Sequence, residues 1–357
     1  MVVPTFREAA HVHPLHAALS ERLADEQWEL IFVDDNSPDG TADVVRDLAQ
    51  RDSRVRILHR IGRLGLASAV IEGALSSSAP FIAVMDGDLQ HDEAILPEMI
   101  RHLDSSDVDI VVGSRYVDGG STAGWDERRK SFSRIATRLS AGLVPGGLRD
   151  PMSGFFVVRS EVFRSLVPRL SGYGYKILLD LFASSPRPLT FVEVPFSFRA
   201  RRHGESKLDS LVAWEYLMLV VDKRIGWLIP PRLLFFVLVG GSGLTVHYAV
   251  LSLFYLWAQS SFSAAQIAAT VAAMTSNFFL NNVFTYRDRR LHGSRLLRGL
   301  LSFYAVCGLG ALANVGVASY AFQNRFQWVV SAFAGIVVGT LWNYVATSRS
   351  TWSPKPN

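Results

Sequence analysis

Beyond residue 230 the chain is dominated by apolar stretches long enough to cross a bilayer, at about 233–257, 264–286, 297–322 and 328–348. Turns at 259–263 and 323–327 are short, whereas the connection 287–295 is strongly basic. Arg287, Arg289, Arg290 and Arg295, the basic stretch before the first span and Arg349 after the last would all face the cytoplasm under the positive-inside rule. The pattern predicts four spans with both termini inside. Buried helices of a large soluble core would not account for four runs of this length. Apolar residues make up 49% of the 357 positions, but the excess is uneven, because up to about residue 210 short apolar runs alternate with charged segments.

That first half reads as alternating strands and helices. Val2–Val3 begins a short strand almost at once, with no signal-peptide pattern ahead of it. Further strands are expected at 28–33, 55–58, 81–85 and 109–112, with helices at about 13–25, 42–51, 65–76 and 95–103. Thr41 is expected to cap the second helix. Such alternation implies right-handed crossovers and a doubly wound, mostly parallel α/β sheet. Ligands on these sheets bind beyond the carboxyl ends of the strands. Asp34–Asp35 and Asp86–Asp88 both fall at such ends. No GxGxxG follows the first strand and no GxxxxGK[ST] occurs, so dinucleotide and P-loop sites are not signalled.

The sequence FIAVMDGDLQ (81–90) carries the sharpest chemistry. Two carboxylates one residue apart are costly to desolvate without a cation between them. A hard divalent ion that also touches phosphate oxygens meets that need. A solvated acidic turn is the competing reading of the motif taken alone. His91, next to it, reads as a loop neighbour more readily than as a metal ligand. Asp180, on an apolar helix face, suits catalysis and the orientation of Lys176 or an arginine equally. The net charge of +4 raises nucleic acid as a partner, but no aromatic–basic motif supports it, and Arg beside membrane segments accounts for the balance. A single cysteine, Cys307, excludes a disulfide framework within one chain.

PTFRE (4–8), VDDNSPDGT (33–41), DGDLQH (86–91), VGSRY (112–116), DPMSGFF (150–156), GYKILLD (174–180) and GESKL (204–208) occur in that order. Together they resemble the family-2 glycosyltransferases of the dolichol-phosphate mannose synthase type. NFFLNNVFTY (277–286) is similar to the GtrA-like four-span membrane domain. The resemblance implies a GT-A-like nucleotide-sugar domain at 1–208, interface helices at 209–231 and a transmembrane domain at 232–357. Pro4, Phe6, Glu8, Val33 and Asp35 are then expected at the nucleoside, with Phe6 standing where the family usually has Tyr. Asp86, Gly87, Asp88 and Gln90 would line the diphosphate, and Asp86, Asp88 and Gln90 would hold Mg²⁺ or Mn²⁺. Arg115, Arg201 and Lys207 would bring positive charge to the phosphates, with Arg202 adjoining the expected arginine. Arg129 and Ser133 fall where the family holds the acceptor phosphate.

The function implied is inverting transfer of a hexose from a nucleotide sugar to a polyprenyl phosphate, catalysed by Asp88, Arg115, Arg129 and Ser133. GDP-mannose is the favoured donor and a dolichyl-type phosphate the acceptor. UDP-glucose as donor, or a lipid-sugar transporter that only binds nucleotide sugar, are the alternatives. A lipid phosphate is already ionised at neutral pH, so a dedicated base is not required. A processive synthase is disfavoured by the lack of QxxRW. Inside the spans, Asn277-Phe278 with Thr285-Tyr286 and Asn343-Tyr344 with Thr351-Trp352 share one spacing, which suggests a duplicated helical hairpin. Packing between helices is the simpler role for those asparagines, and help in presenting or flipping a lipid-linked sugar the sharper one.

Overall fold

A computed structural model of the chain describes every residue except 63–64, 123–135, 141, 172–175, 200–209, 227 and 354–357. It divides into two compact units, Met1–Trp227 and Leu228–Asn357.

The first unit is built on a 7-stranded sheet in the order β3-β2-β1-β4-β6-β5-β7. Its strands are β1 (Val2–Thr5), β2 (Leu30–Asp34), β3 (Val55–His59), β4 (Phe81–Val84), β5 (Ile110–Ser114), β6 (Phe156–Arg159) and β7 (Phe191–Pro195). Helices α1 (Val12–Arg22), α2 (Thr41–Arg51), α3 (Leu66–Leu75) and α4 (Leu96–Ser105) connect the early strands. Then come α5 (Ser160–Leu166), α6 (Ile177–Ser184) and α7 (Ser210–Ile225). All neighbouring pairs are parallel except those of β6, which runs antiparallel to both β4 and β5. The mostly parallel α/β sheet expected from the sequence is therefore present, with one reversed strand.

Successive strand residues leave for opposite faces of the sheet. Val2, Ile31, Val33, Ile82, Val84 and Val112 join one core with α3, α5 and α6. Val3, Phe32, Ala83, Val111 and Val157 join the other with α1, α2 and α4. Strands buried on both faces explain why these segments read as continuous apolar runs rather than alternating ones.

Thr41 does not cap α2. Gly40 takes that place with φ +83°, and Thr41 is the first helical residue. Its hydroxyl instead donates to Asp39 Oδ1 (2.6 Å) and accepts from the Glu8 N–H (3.0 Å), tying the loops after β1 and β2 together. Helix α7 belongs to the first unit by its packing. Tyr216, Leu219 and Val220 are buried against Ala136, Met152 and Leu179. Lys223 at its end reaches Asp180 (2.7 Å) and Ser184 (2.8 Å). Asp180 is fully buried and also accepts from the Ser171 N–H and hydroxyl, so its partners include Ser171, Ser184 and Lys223. These contacts make Asp180 a packing residue.

The second unit consists of four long helices, α8 (Pro231–Ser252), α9 (Phe262–Leu280), α10 (Ser294–Gln323) and α11 (Trp328–Ser350). Wide π turns extend α8 through Leu253–Trp257 and α9 through Asn281–Thr285. Among the described residues, two helices, Pro231–Trp257 and Ser294–Gln323, are long and apolar enough to cross a membrane by length and composition. The repeated spacing has a structural counterpart. The side chain of Asn277 in α9 lies against Gly243 of α8, where a Cβ would come within 2.5 Å of it, and that of Asn343 in α11 lies likewise against Gly310 of α10. Phe236 of α8 meets Tyr344 of α11 at 5.7 Å, and Phe303 of α10 meets Phe278 of α9 at 5.7 Å. Tyr286 and Trp352, which end the two hairpins, stack on each other at 4.3 Å and 5°. Exchanging one hairpin for the other maps these contacts onto themselves. Asn282 bonds the Leu291 N–H (2.8 Å) and the Trp352 indole (3.1 Å), the packing role expected of such residues.

Candidate active site

One edge of the sheet gathers the charged motifs. Strands β2, β1 and β4 are adjacent and parallel, so the loops that follow them emerge side by side. Strand β5 points the same way, and the reversed β6 must be entered from that edge. The loop before β6 therefore brings residues 150–155 alongside. Among the described residues of the first unit, those other than glycine with positive φ are Arg7 (60°), Asn36 (54°) and Leu89 (61°). Each sits in the loop just after β1, β2 or β4. Left-handed backbone is unfavourable for a bulky residue such as Leu, and strain of this kind collects at functional loops.

At the end of β2, Asp34 is fully buried and accepts from the Ser37 N–H (2.9 Å) and hydroxyl (2.5 Å). Asp35 accepts from Arg60 Nε (2.7 Å) and the Gly65 N–H (2.8 Å), a buried ion pair that shapes the loop before α3. Glu8 contacts His11 Nδ1 at 2.6 Å. Val33 packs its side chain wholly in the core, which leaves its backbone as the part a ligand would meet. Pro4 is half-buried, and Phe6 is exposed beside Arg7.

Asp86 and Asp88 follow β4 as half-buried carboxylates, with buried Gly87 packed on Val3 and Thr5 of β1. A Cβ on Gly87 would lie 3.2 Å from Val3, so the loop hugs the sheet end. Gln90 is buried, and its Nε2 donates to the Arg199 carbonyl at 3.1 Å. That bond fixes the amide so that Oε1 is the end left to accept a cation. Two carboxylates and an amide oxygen are hard donors of the kind that suits Mg²⁺ or Mn²⁺, and among the described residues no three His, Cys, Asp or Glu side chains cluster as a metal site. His91 follows directly. Its ring lies among Phe155, Phe196 and Phe198 at 5.4, 5.5 and 5.6 Å, and burial pushes its pKa down to about 4, so it is neutral at physiological pH.

Arg115, immediately after β5, is a second buried cation of the site. Its Nε and Nη2 each bond Asp150 at 2.7 Å, and its backbone N–H adds a third bond at 3.1 Å. Burial works against the guanidinium charge, but Asp150, with smaller help from Tyr116 and Asp86, outweighs it and holds the pKa above its ordinary value. Asp150 is positioned in turn by Glu193 of β7, which accepts from the N–H groups of Arg149 (2.8 Å) and Asp150 (3.0 Å). In the same loop, Gly154 comes so near Asp86 that a Cβ would lie 2.9 Å from Oδ2. Lys176 donates to the Met152 carbonyl at 3.0 Å. Arg129, Ser133, Arg201, Arg202 and Lys207 lie outside the described residues.

The sequence profile of glycosyl transferase family 2 matches residues 1–167, and that of the GtrA/DPMS transmembrane domain matches residues 235–352. The chain is 32% identical over 357 residues to a dolichol-phosphate mannosyltransferase of Pyrococcus furiosus, covering 99% of both chains. It belongs to this branch of the family-2 glycosyltransferases. A Saccharomyces cerevisiae dolichol-phosphate mannosyltransferase is 36% identical over 226 residues, 61% of this chain and 83% of the relative. Among solved structures, a Mycobacterium tuberculosis glucosyl-3-phosphoglycerate synthase crystallised with Mn²⁺, UDP-glucose and phosphoglyceric acid is similar at 21% identity and TM-score 0.44. The match spans 62% of this chain and 78% of that one. With its GtrA/DPMS domain and apolar helices, this glycosyltransferase is a membrane protein.

Three side chains that build the site escape a reading of the sequence: Arg60, Asp150 and Arg199. Each acts through a partner far along the chain. Asp150 opens the DPMSGFF motif, and an acid beginning a Gly-containing loop is the one available signal. Arg60 and Arg199 carry no local signal.

Proposed function

We propose that the protein transfers mannose from GDP-mannose to a polyprenyl, dolichyl-type phosphate with inversion at the sugar, using a divalent metal. The observation that carries the reading is the convergence at one sheet edge of Asp86, Asp88 and the oriented Gln90 amide with the buried Arg115–Asp150 pair. Likeness over 99% of both chains to a relative named dolichol-phosphate mannosyltransferase supports mannose as the sugar and a dolichyl-type phosphate as the acceptor. A phosphate oxygen of the lipid attacks the anomeric carbon as the bond from that carbon to the nucleotide's phosphate oxygen breaks, and the nucleoside diphosphate departs. Negative charge grows on the departing oxygen, and groups fixed in place before the reaction stabilise it most effectively. Arg115, held by Asp150, is assigned that role, with Arg201, Arg202 and Lys207 supporting it. When bound at Asp86, Asp88 and Gln90, the metal supplies further neutralisation of the diphosphate. Pro4, Phe6, Glu8, Asp35 and the backbone of Val33 are assigned to the nucleoside, and Arg129 and Ser133 to the acceptor phosphate.

The same reading takes residues 1–208 as the catalytic domain, 209–231 as helices along the membrane interface and 232–357 as four spans. The basic 287–295 connection then faces the cytoplasm, as do the catalytic domain and both termini. The test is transfer of labelled mannose from GDP-mannose into an organic-soluble product. It must depend on added polyprenyl phosphate and on divalent metal.

A further inference from the structure

Gln90 and Arg199 are joined in both directions although far apart in sequence. The Arg199 N–H donates to the Gln90 carbonyl at 2.8 Å, while Gln90 Nε2 donates to the Arg199 carbonyl at 3.1 Å. The Arg199 guanidinium also spans two acids just beyond Gln90, bonding Glu93 Oε2 at 2.6 Å and Asp92 Oδ1 at 2.7 Å. Asp92 in turn accepts from the Ala94 N–H at 3.2 Å, capping the turn that leads into α4. Two anions and one backbone segment thus converge on one residue of the chain that follows β7. Glu93 is buried and needs a cation, which the Arg199 guanidinium supplies.

We infer that Arg199 is a positioning residue for the metal loop: its clasp on Asp92 and Glu93 holds the peptide whose carbonyl orients the Gln90 amide. The inference rests on the reading of Asp86, Asp88 and Gln90 as metal ligands. The clasp has two effects. It fixes the direction of the Gln90 amide, so that oxygen rather than nitrogen is offered to the cation. It also neutralises two carboxylates beside the ligand cluster, which would otherwise draw the loop into other ion pairs. In sequence, Arg199 is followed closely by Arg201, Arg202 and Lys207, the cations assigned to the phosphates.

Partners that orient a metal ligand typically change metal affinity by 10–100-fold when removed. Arg199→Ala is expected to weaken Mn²⁺ binding about 10-fold, measured on the full-length protein in detergent by isothermal titration with GDP present and, separately, with UDP. Arg199→Lys, which keeps one charge and the backbone bonds, is expected to recover part of the loss. Asp92→Asn/Glu93→Gln, which leaves Arg199 itself intact, is expected to reproduce it. Thermal unfolding of each variant separates positioning from folding. A lowered midpoint with unchanged Mn²⁺ affinity overturns the inference. Asp88→Ala in the same titration separates the two readings. If it leaves Mn²⁺ binding unchanged, the metal assignment fails; if it abolishes binding while Arg199→Ala does not weaken it, the clasp fails alone.

Discussion

Replacing Asp150 by Asn tests the arrangement around Arg115 most severely. Asp150 has no exposed surface, and Arg115 is 8% exposed. Three N–H groups of Arg115 point at the two carboxylate oxygens, at 2.7, 2.7 and 3.1 Å. An asparagine turns one of those acceptors into a donor facing another donor, and it removes the charge that matches a buried guanidinium. Removing one partner of such a buried pair costs about 3–5 kcal/mol. For a unit of this size that lowers the unfolding midpoint on the order of 10 °C. Intrinsic tryptophan fluorescence of the detergent-solubilised protein reads the midpoint, and the initial rate of sugar transfer reads the site. Arg115 would also leave its place, so the rate should fall at temperatures where the variant is fully folded. A double variant, Arg115→Met/Asp150→Leu, recovers stability without activity, because a well-packed apolar pair often replaces a buried ion pair at little cost. An Asp150→Asn variant with wild-type midpoint and rate would refute the reasoning.

Two further outcomes follow from the same geometry. Gly154→Ala puts a methyl group 2.9 Å from Asp86 Oδ2, so the carboxylate must retreat by several tenths of an ångström; folding should hold while Mn²⁺ affinity and transfer rate drop about 10-fold, and unchanged metal affinity would show that Asp86 is not a ligand. His91 has its pKa depressed from 6.5 to about 4, so the unfolded chain binds more protons between those values. Its contribution is complete above pH 6.5 and is lost as pH falls toward 4, in total about 3 kcal/mol. His91→Phe fits the same aromatic surroundings and should flatten that part of the stability–pH curve, whereas an unaltered slope would assign it to other groups.

How much of this is visible in the sequence depends on whether the signal is local. β2, β4 and β5 announce themselves as apolar runs ending in acid, Ser or Gly, β1 and β3 as short segments bounded by Pro4 and by His59-Arg60, and the observed ends of all five fall within two residues of expectation. β6 does not, because Phe156–Arg159 is four residues in an apolar run with no alternation to mark it. Its antiparallel direction is set by pairing with β4 and β5, which no local pattern records. The acidic pairs at 34–35 and 86–88 are legible as strand-end clusters. What holds each of them is not: Arg60 lies 25 residues from Asp35 and Arg199 109 from Gln90. His91 reads from sequence as a neighbour rather than a ligand, and so it lies, but its aromatic enclosure comes from Phe155, Phe196 and Phe198 on two distant segments. The hairpin duplication is legible as spacing, and the Tyr286–Trp352 stack gives that spacing a physical cause.

In the proposed reaction, Asp86, Asp88 and Gln90 present a metal-bound nucleotide sugar to a lipid phosphate. Purified protein is given labelled GDP-mannose or UDP-glucose, polyprenyl phosphate and Mn²⁺, and the organic phase is counted. Label should pass into that phase from GDP-mannose, stop when the metal is chelated, and be absent with Asp88→Ala. Equal transfer by Asp88→Ala, or transfer from UDP-glucose alone, would contradict the account.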